Sequence, residues 1–586
     1  MNKCENDILT AIYRNGFTTQ RDLASETGCS LGKVNKALQH LRETAYLTAQ
    51  NELTLEAMAR IQAFRPKNAV ILAAGYGMRM VPINTETPKG LIQIYGEALI
   101  ERLIGQLHAV GITDITVVVG YMKESYEYLI DKYGVELVVN MTYAKKNTLH
   151  SLGCVLDRID NTYIVPCDLW CRENPFADVE MYSRYWMTDR TSDESDWRIN
   201  TKGEIVADAV TGLEPFGLAY VGPDTADMLK EKMARMMGDR KYNRDYWERA
   251  AFRKGKMMFA GVKVPAVDYV EINTYEQLRE LDSGSDHLDS AVIAVIKDTL
   301  AVDATEIVDI EVLKKGMTNR SFLFTCRGSR YIMRIPGKGT EKLINRQQEY
   351  DIYQTIKDGG FADEVLYINP TDGYKLTRFI ENATNCNPQD LDEVAACMAV
   401  LRDFHNRRYK VNHEFNLFEK LEYYEMLRGD TPSAFRDYSE TKARMYELKA
   451  FIDGLPIEKA LTHVDAVADN FLIVKDANGI RDVRLIDWEY GGMQDPHLDV
   501  AMFCIYALYD TVMIDKVIDL YFQGRCSRVN RMKIYCYIAI SGLVWSNWCE
   551  FKLQVGTEFG AYSLAQYRYA KTYYKKFKAL SGGEDE

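Results

Sequence analysis

Two separate stretches of the chain carry charged residues and glycines at spacings that suit phosphate chemistry. In the first, an apolar run leads into Ala74, Gly75, Gly77 and Arg79, and Lys89 follows ten residues later. Glycines let backbone N–H groups approach a triphosphate closely, and the two cations can neutralise a departing pyrophosphate. This arrangement predicts a loop that binds a triphosphate and assists the departure of pyrophosphate.

The second stretch has the spacing of a kinase-like catalytic loop. His463 is followed by Asp465, Asn470 comes five residues after that aspartate, and Asp487 ends an apolar run seventeen residues further on. In such loops the first aspartate orients or deprotonates the acceptor hydroxyl, while the asparagine and the later aspartate hold Mg²⁺. A second reaction, phosphoryl transfer from ATP to an alcohol, is therefore predicted.

The first stretch resembles the signature of the sugar-nucleotide and phosphocholine nucleotidyltransferases, whose fold is a Rossmann-like sheet with nucleotide at the strand ends. The resemblance implies that Lys89 is catalytic and that Asp168, at the end of a later strand, holds Mg²⁺ against the α-phosphate. A second ligand is implied near the end of the domain, where Asn273 replaces the family's aspartate. Glu271 is the expected ligand there, with Asn273 itself or Asp268 as alternatives.

The same resemblance implies contacts to the base and to the acceptor. Asn147 and Ser151 stand where such contacts are expected, and Trp170 is the predicted choline-facing residue, with Trp186 as a further candidate. A packing role is the alternative for either tryptophan. CTP as the nucleotide rests on the resemblance alone.

The second stretch resembles choline and aminoglycoside kinases. Gly316, Thr318 and Asn319 lie in a turn like the loop with which these kinases cover the ATP phosphates. Arg334 stands where protein kinases carry a lysine on a strand. Choline kinases tend to have an arginine at this place. Glu349, on the following helix, is its expected ion-pair partner.

Aromatic residues point to the acceptor of the phosphoryl group. Trp545 and Trp548 are three residues apart and so share one face of a helix, and Tyr490 is predicted to complete an aromatic box. A quaternary ammonium has no hydrogen to donate and is held by aromatic faces and carboxylates. The pair resembles the choline-pocket helix of choline kinases. The family's pocket glutamate is not evident, so Glu489 or Glu550 is expected in its place.

The elements that must position these residues fall into three zones, predicted as a winged helix-turn-helix (1–62), a Rossmann-like nucleotidyltransferase (66–282) and a bilobal kinase-like domain (290–586). The overall class is thus multidomain, α/β and α+β. Apolar runs of the middle zone suggest parallel strands buried on both faces: Ala69–Leu72, Ile115–Val119, Val135–Val139 and Tyr163–Pro166.

The first zone reads as short helices with a recognition helix from Leu31 to Leu41, capped by Ser30 and followed by a two-stranded wing ending at Leu53–Leu55. Lys33 and Lys36, with Asn35, are the residues that would face a DNA groove. Basic and acidic residues balance in this zone, whereas DNA-binding faces usually carry a basic excess. Weak DNA binding and a packing or regulatory role are both open.

The amino-acid composition argues against several classes of protein. Among 586 residues, 47% are hydrophobic and 27% charged, which is typical of globular domains. The net charge of −12 argues against nucleic acid as the main partner. Twelve scattered cysteines without a Cys-x-x-Cys pair favour reduced packing residues, and no apolar stretch reaches membrane-spanning length. We expect a cytoplasmic protein.

Together the two resemblances imply consecutive steps: ATP phosphorylates choline, and CTP then activates phosphocholine to CDP-choline, with Mg²⁺ at both sites. Three alternatives remain at this point. The same steps could act on ethanolamine, the transferase could act on a sugar phosphate, or the chain could be a DNA-binding regulator with sensor-like enzyme domains. The retained Lys89, Asp168, Asp465, Asn470 and Asp487 weigh against a retired active site.

Overall fold

The computed structural model describes residues 1–313, 319–337, 344–429, 431–477, 479–554 and 558–582. The chain divides into two compact units, Met1–Lys297 and Asp298–Glu586. Within the described residues, no helix combines the length and the apolar character needed to cross a membrane. All twelve cysteines carry free thiols.

The first unit begins with helices α1 (Lys3–Asn15), α2 (Gln20–Thr27), α3 (Leu31–Glu43) and α4 (Leu55–Ala63). The predicted cap of α3 is confirmed, because the Ser30 side chain accepts a hydrogen bond from a backbone N–H of the first turn. The predicted second wing strand is wrong. Leu47 and Leu53 form one isolated bridge, and Thr54 then caps α4, so the chain turns into a helix at Leu55.

The rest of the first unit is an α/β fold. Its strands are β1 (Asn68–Ala73), β2 (Gln93–Ile94), β3 (Glu97–Ala98), β4 (Ile115–Val119), β5 (Glu136–Val139), β6 (Thr162–Pro166), β7 (Leu169–Cys171), β8 (Arg184–Ser192), β9 (Trp197–Ile199), β10 (Glu204–Ala207), β11 (Gly212–Val221), β12 (Phe252–Arg253), β13 (Lys256–Val264) and β14 (Tyr269–Glu271). Its helices are α5 (Leu99–Ala109), α6 (Tyr128–Tyr133), α7 (Thr148–Gly153), α8 (Pro223–Met237), α9 (Glu248–Ala251) and α10 (Tyr275–Leu281), followed by α11 (Ala291–Leu300).

The main sheet has the strand order β5-β4-β1-β6-β11-β8-β13-β10-β9, with β12 paired to β13. The predicted parallel strands are confirmed: β1 runs parallel to β4 and β6, and β4 runs parallel to β5. All of β4 is buried, whereas β5 lies at the edge of the sheet and is partly exposed, so the expectation that this strand is buried on both faces is wrong. Because β1 and β6 are adjacent and parallel, the loop after Ala73 and the residues after Pro166 emerge at the same edge of the sheet.

The winged helix packs directly against this fold. The hydroxyl of Tyr220 on β11 donates a 2.6 Å hydrogen bond to the carbonyl of Phe64, just after α4. Val179 and Met181 lie in the same buried cluster as Leu9 of α1. The N-terminal helices therefore share a core with the nucleotidyltransferase fold.

The second unit contains strands β15 (Val308–Val312), β16 (Asn319–Cys326), β17 (Ser329–Pro336), β18 (Val365–Ile368), β19 (Lys375–Arg378), β20 (Ala383–Asn385), β21 (Ala460–Thr462), β22 (Phe471–Asp476), β23 (Gly479–Leu485) and β24 (Gly492–Gln494). Its helices are α12 (Arg346–Ile356), α13 (Leu391–Asn406), α14 (Leu417–Arg428), α15 (Tyr438–Asp453), α16 (His497–Tyr506), α17 (Thr511–Phe522), α18 (Arg528–Gln554) and α19 (Ala561–Ser581).

A strand-rich lobe precedes a helix-rich lobe in this unit, which fits the predicted bilobal fold. The first lobe is an antiparallel sheet of order β15-β16-β17-β19-β18, with α12 following β17. In the second lobe, β22 and β23 form an antiparallel hairpin. This hairpin joins Asn470 to Asp487 and so brings the two ends of the predicted catalytic motif together.

Candidate active sites

The glycine loop after β1 lies against the side chain of Lys89. Gly77 has φ 57°, in the left-handed region, and a Cβ at this position would lie 3.2 Å from the Cβ of Lys89. A side chain here would combine backbone strain with a tight contact. The sequence thus needs glycine at Gly77 to let the lysine pass close to the loop. Ala74 and Gly75 precede this turn.

Three polar side chains converge with Lys89 at the sheet edge. The Lys89 ammonium contacts the Asp168 carboxylate and donates a 2.7 Å hydrogen bond to Oδ1 of Asn273. Arg79 donates to the same Asn273 oxygen at 2.8 Å. Asp168 directly precedes β7 and Asn273 follows β14, and these strands pair antiparallel with Leu169 opposite Glu271. The strand pairing therefore assembles residues that are far apart in sequence.

Two carboxylates of this cluster fit a divalent cation. Asp168 is 9% exposed, and its Oδ1 has no hydrogen-bond partner among the described residues. Burial and the nearby Asp168 charge raise the pKa of Glu271, and Lys89 opposes this rise. Two close carboxylates with a free oxygen suit Mg²⁺. The alternative ligand Asp268 instead lies 3.4 Å from Nε of Arg172.

Asn147 and Ser151, expected to contact base and acceptor, are engaged in local structure. Asn147 caps α7 and donates a 3.2 Å hydrogen bond to the carbonyl of Arg244. Ser151 is buried, and its hydroxyl accepts from Asn140 at 3.0 Å. Both side chains hold the loops around α7 together.

The two tryptophans considered for a choline-facing wall are enclosed by other groups. The Trp170 indole is 5% exposed and has the guanidinium groups of Arg102 and Arg172 at 5.6 and 5.7 Å from its ring centroid. An indole already covered by cations is a poor surface for a trimethylammonium group. Trp186 is 4% exposed and packs against Tyr163.

A cluster of tyrosines beside the glycine loop was missed from the sequence. The Tyr76 ring centroid lies 4.9 Å from that of Tyr121 and 5.2 Å from that of Tyr143. Gly120 permits this packing, since a Cβ there would lie 2.7 Å from the Tyr143 ring. Only Tyr76 falls inside the motif, so spacing alone carried no signal for the other two.

In the second unit, Asp465 lies at the centre of the predicted catalytic loop. Nδ2 of Asn470 donates to its Oδ2 at 3.1 Å and to its carbonyl at 2.9 Å. Burial, together with the Asp487 charge, raises the pKa of Asp465 to about 7. Asp487 has φ 68°, a conformation that side chains rarely adopt and that often occurs at functional sites. Among the described residues, its carboxylate has no hydrogen-bond or ion-pair partner, so Asp487 and Asn470 fit a metal ion.

A buried aspartate that the sequence had not assigned to this role anchors the loop. Asp499 on α16 is fully buried and accepts hydrogen bonds from the backbone N–H groups of His463 and Val464 at 2.8 and 2.7 Å. It also lies 3.0 Å from Nε2 of His405. Its position in an otherwise apolar helix was the available signal. Asp499 thereby fixes the backbone conformation of the loop from which the Asp465 side chain extends.

The predicted ion pair of the strand-rich lobe is present. Nη2 of Arg334 donates to Oε2 of Glu349 at 2.9 Å, and both side chains are buried. Burial alone would raise the pKa of Glu349, but the charge and hydrogen bonds of Arg334 lower it to about 2. Asn319 donates to Glu489 at 3.0 Å. Gly316 and Thr318 lie outside the described residues.

A narrow pocket opens beside Asp465 and carries an aromatic wall. It is lined by Phe415, Leu417, Lys420, Tyr424, Val464, Asp465, Tyr490, Met502, Val544 and Trp545. The Trp545 ring contacts Tyr424 and Tyr506 with centroids 6.2 and 5.4 Å away. Its Nε1 is buried without a hydrogen-bond partner among the described residues. Tyr490 and Trp545 are thus brought together as predicted.

Trp548 and the two alternative glutamates are placed differently. Trp548 does not line the pocket but packs edge-on against Trp545 with centroids 5.6 Å apart. Glu550 pairs with Arg428 at 2.6 Å, and Glu489 bonds to Asn319, so both expectations of a pocket glutamate are wrong. Of the described residues that line the pocket, only Asp465 carries a carboxylate.

Three family models match the chain: a winged helix-turn-helix DNA-binding domain over residues 1–44, a MobA-like NTP transferase domain over 69–204, and a choline/ethanolamine kinase over 310–517. Choline-phosphate cytidylyltransferase of Streptococcus pneumoniae is 31% identical over 224 residues, which cover 37% of this chain and 94% of that protein. The 2-aminoethylphosphonate cytidylyltransferase of Lancefieldella rimae is 35% identical over 181 residues, 29% of this chain and 72% of that protein.

Among solved structures, choline kinase LicA from Streptococcus pneumoniae is similar at 27% identity, covering 49% of this chain and all of that one, with a TM-score of 0.42. The match to nearly the whole Streptococcus pneumoniae cytidylyltransferase shows that the chain belongs to the nucleotidyltransferase family that includes choline-phosphate cytidylyltransferase, and the same polypeptide carries choline/ethanolamine kinase and winged helix-turn-helix domains.

Proposed function

We propose that the chain makes CDP-choline in two consecutive steps. ATP phosphorylates the hydroxyl of choline at the Asp465 site, and phosphocholine then displaces pyrophosphate from CTP at the Lys89 site. The observation that carries this proposal is that one chain assembles both clusters, Asp465 with Asn470 beside an aromatic pocket and Lys89 with Asp168 beside a glycine loop. The product of the first site is the acceptor needed by the second.

In the kinase step, Asp465 accepts the hydrogen bond of the choline hydroxyl. A pKa of about 7, raised by burial and by the Asp487 charge, suits a group that takes a proton as the oxygen attacks the γ-phosphorus of ATP. Asn470 and Asp487 would hold Mg²⁺, which neutralises phosphate charge when bound. Asp499 keeps the loop in place throughout.

The pocket favours choline over ethanolamine. A primary ammonium loses its hydrogen bonds to water on entering a pocket and needs several acceptors in return. Among the described residues of this lining, the one carboxylate is Asp465, which the hydroxyl requires. A trimethylammonium group has no N–H to satisfy and is stabilised by the rings of Trp545, Tyr490 and Tyr424.

In the transferase step, a phosphate oxygen of phosphocholine attacks the α-phosphorus of CTP, and the bond to the β-phosphate oxygen breaks. Backbone N–H groups around Gly75 and Gly77 and the cations of Arg79 and Lys89 hold the triphosphate and stabilise the leaving pyrophosphate. Asp168 and Glu271 would hold Mg²⁺ at the α-phosphate.

Acceptors other than phosphocholine account less well for the combination of domains in this chain. A 2-aminoethylphosphonate or sugar-phosphate acceptor would leave the choline/ethanolamine kinase domain without a product for the transferase to use. A regulator with inactive enzyme domains would have no need to keep Lys89, Asp168 and Asp465 assembled.

Substitution of one catalytic residue at a time should separate the two half-reactions. Lys89→Ala should lower pyrophosphate release from CTP and phosphocholine by at least ~100-fold, because the leaving charge loses its nearest cation. The same variant should phosphorylate choline at the wild-type rate. Asp465→Ala should lose phosphorylation of choline and release pyrophosphate from CTP and phosphocholine at the wild-type rate. Coupled assays of pyrophosphate and ADP release measure both, and loss of both activities in either variant would contradict two independent sites.

Removal of the pocket indole should weaken choline binding. Trp545→Ala should raise KM for choline roughly tenfold, in line with about 1–2 kcal/mol for a desolvated cation–π contact. Trp548→Ala is the matched control on the same helix, and a smaller effect is expected because that indole lies behind Trp545. Equal increases for both variants would refute the assignment of the choline wall to Trp545.

We also propose that the winged helix makes weak contacts with DNA. Lys33, Lys36 and Arg42 are exposed on α3, whereas Glu5 and Asp7 of the same module pair with His40 and with Arg184. This distribution leaves a local basic excess on the recognition helix although the module as a whole is neutral.

Fluorescence anisotropy with duplex DNA of random sequence tests the contact. Combined Lys33→Ala and Lys36→Ala substitutions should weaken binding and reduce the salt slope by about 2, one unit for each phosphate contact. Lys202→Ala, an exposed lysine outside the module, is the control. Equal affinity of the double variant and the wild type would rule out α3 as the contact.

A further inference from the structure

Asn273 contacts both cations of the candidate nucleotidyltransferase site and has no role in the proposed transfer step. Its Oδ1 accepts hydrogen bonds from Nζ of Lys89 at 2.7 Å and from Nη2 of Arg79 at 2.8 Å. The amide can meet two cations only through its oxygen, because its NH₂ group accepts no hydrogen bond. Burial and the Asp168 charge raise the pKa of Glu271, and a side-chain hydrogen bond with Asn273 opposes that rise. One neutral side chain thus links two cations to a carboxylate.

The backbone around Asn273 is held on both sides. The N–H of Ile272 donates a 2.9 Å hydrogen bond to the carbonyl of Asp168. The N–H of Asn273 donates a 2.6 Å hydrogen bond to Oε1 of Gln277, which forms the capping box of α10 together with Thr274. A side chain between a paired strand and a capped helix has little freedom to move. Its oxygen therefore fixes the point at which the ammonium and guanidinium groups meet.

A carboxylate of the same shape at this position would act differently. It would form ion pairs with Lys89 and Arg79 and so compete with the phosphates that these cations have to bind. It would also add a third negative group beside Asp168 and Glu271, where repulsion between close carboxylates is already felt. The neutral oxygen orients both cations and adds no negative charge.

We propose that Asn273 is a positioning residue that holds Lys89 and Arg79 together for a polyphosphate without neutralising them. The inference deepens the proposed cytidylyl transfer and rests on it. The ligand concerned is the triphosphate of the nucleotide and the pyrophosphate that leaves, whereas the base and the acceptor do not enter. A role of Oδ1 as a direct ligand of Mg²⁺ makes the opposite prediction for an added charge, since Mg²⁺ is commonly bound by carboxylates.

Isothermal titration calorimetry of the full chain with CTP and with pyrophosphate, both in EDTA, measures phosphate binding without metal. Asn273→Asp should raise Kd for both ligands at least ~10-fold, because the new charge pairs with the cations and repels the phosphates. Asn273→Ala should have a smaller effect, because it removes the shared acceptor without adding a charge. Asn35→Asp adds the same charge at an exposed position of α3 and should bind as the wild type does.

Lys89→Ala gives the heat that comes from binding elsewhere in the chain, and circular dichroism checks that each variant is folded. Unchanged or tighter binding by Asn273→Asp would overturn the inference. Wild-type binding no stronger than that of Lys89→Ala would overturn it as well, because cations held for a polyphosphate must bind one.

Steady-state kinetics with CTP, phosphocholine and Mg²⁺ separate positioning from metal binding. Asn273→Asp should lower kcat and raise KM for CTP while KM for phosphocholine stays unchanged. Activity at or above the wild-type level with a lower Mg²⁺ requirement would instead assign Asn273 to the metal and overturn the inference. If the wild type releases no pyrophosphate from CTP and phosphocholine, the proposed function fails, whereas the calorimetry still decides the role of Asn273.

Discussion

Both candidate active sites contain carboxylates held close together inside the protein. In the first unit, burial and the Asp168 charge raise the pKa of Glu271, and in the second, burial and the Asp487 charge raise that of Asp465. Such repulsion is costly unless cations offset it. Lys89 contacts Asp168 at the first site. At the second, the hydrogen bond from Asn470 opposes the rise in the pKa of Asp465. Sites built this way are suited to phosphate and metal chemistry, where incoming positive charge relieves the repulsion.

The two units meet this constraint with different scaffolds. In the first, parallel β1 and β6 deliver the glycine loop and Asp168 to one sheet edge, and the β7–β14 pair adds Glu271. In the second, the candidate catalytic residues lie on loops. The buried Asp499 holds one loop by two backbone N–H groups, and the β22–β23 hairpin returns Asp487 to it. Strands and hairpins thus fix where the candidate site side chains lie, while the loops allow unusual backbone angles such as the positive φ of Asp487.

The sequence predicted the features that depend on local spacing. Long apolar runs such as Ile115–Val119 became buried parallel strands, and the Asp465–Asn470 spacing placed both side chains within hydrogen-bond distance. Sequence-based prediction was wrong where a contact from a distant segment, or a competing local contact, determines the structure. Thr54 caps a helix where a wing strand was expected, and Arg102 and Arg172 enclose Trp170 from separate segments. The pocket tyrosine Tyr424 lies outside every motif, and the available sign of the anchor Asp499 was its place in a largely apolar helix.

The central claim, that one chain performs consecutive steps on one molecule, is tested most directly by supplying methyl-¹³C choline with ATP, CTP and Mg²⁺ to the purified wild-type protein. Combined ¹³C and ³¹P NMR should show labelled CDP-choline accumulating as choline is consumed, with one ADP and one pyrophosphate for each CDP-choline. Labelled phosphocholine that accumulates without further conversion, or choline that stays unreacted while ethanolamine is consumed, would contradict the account.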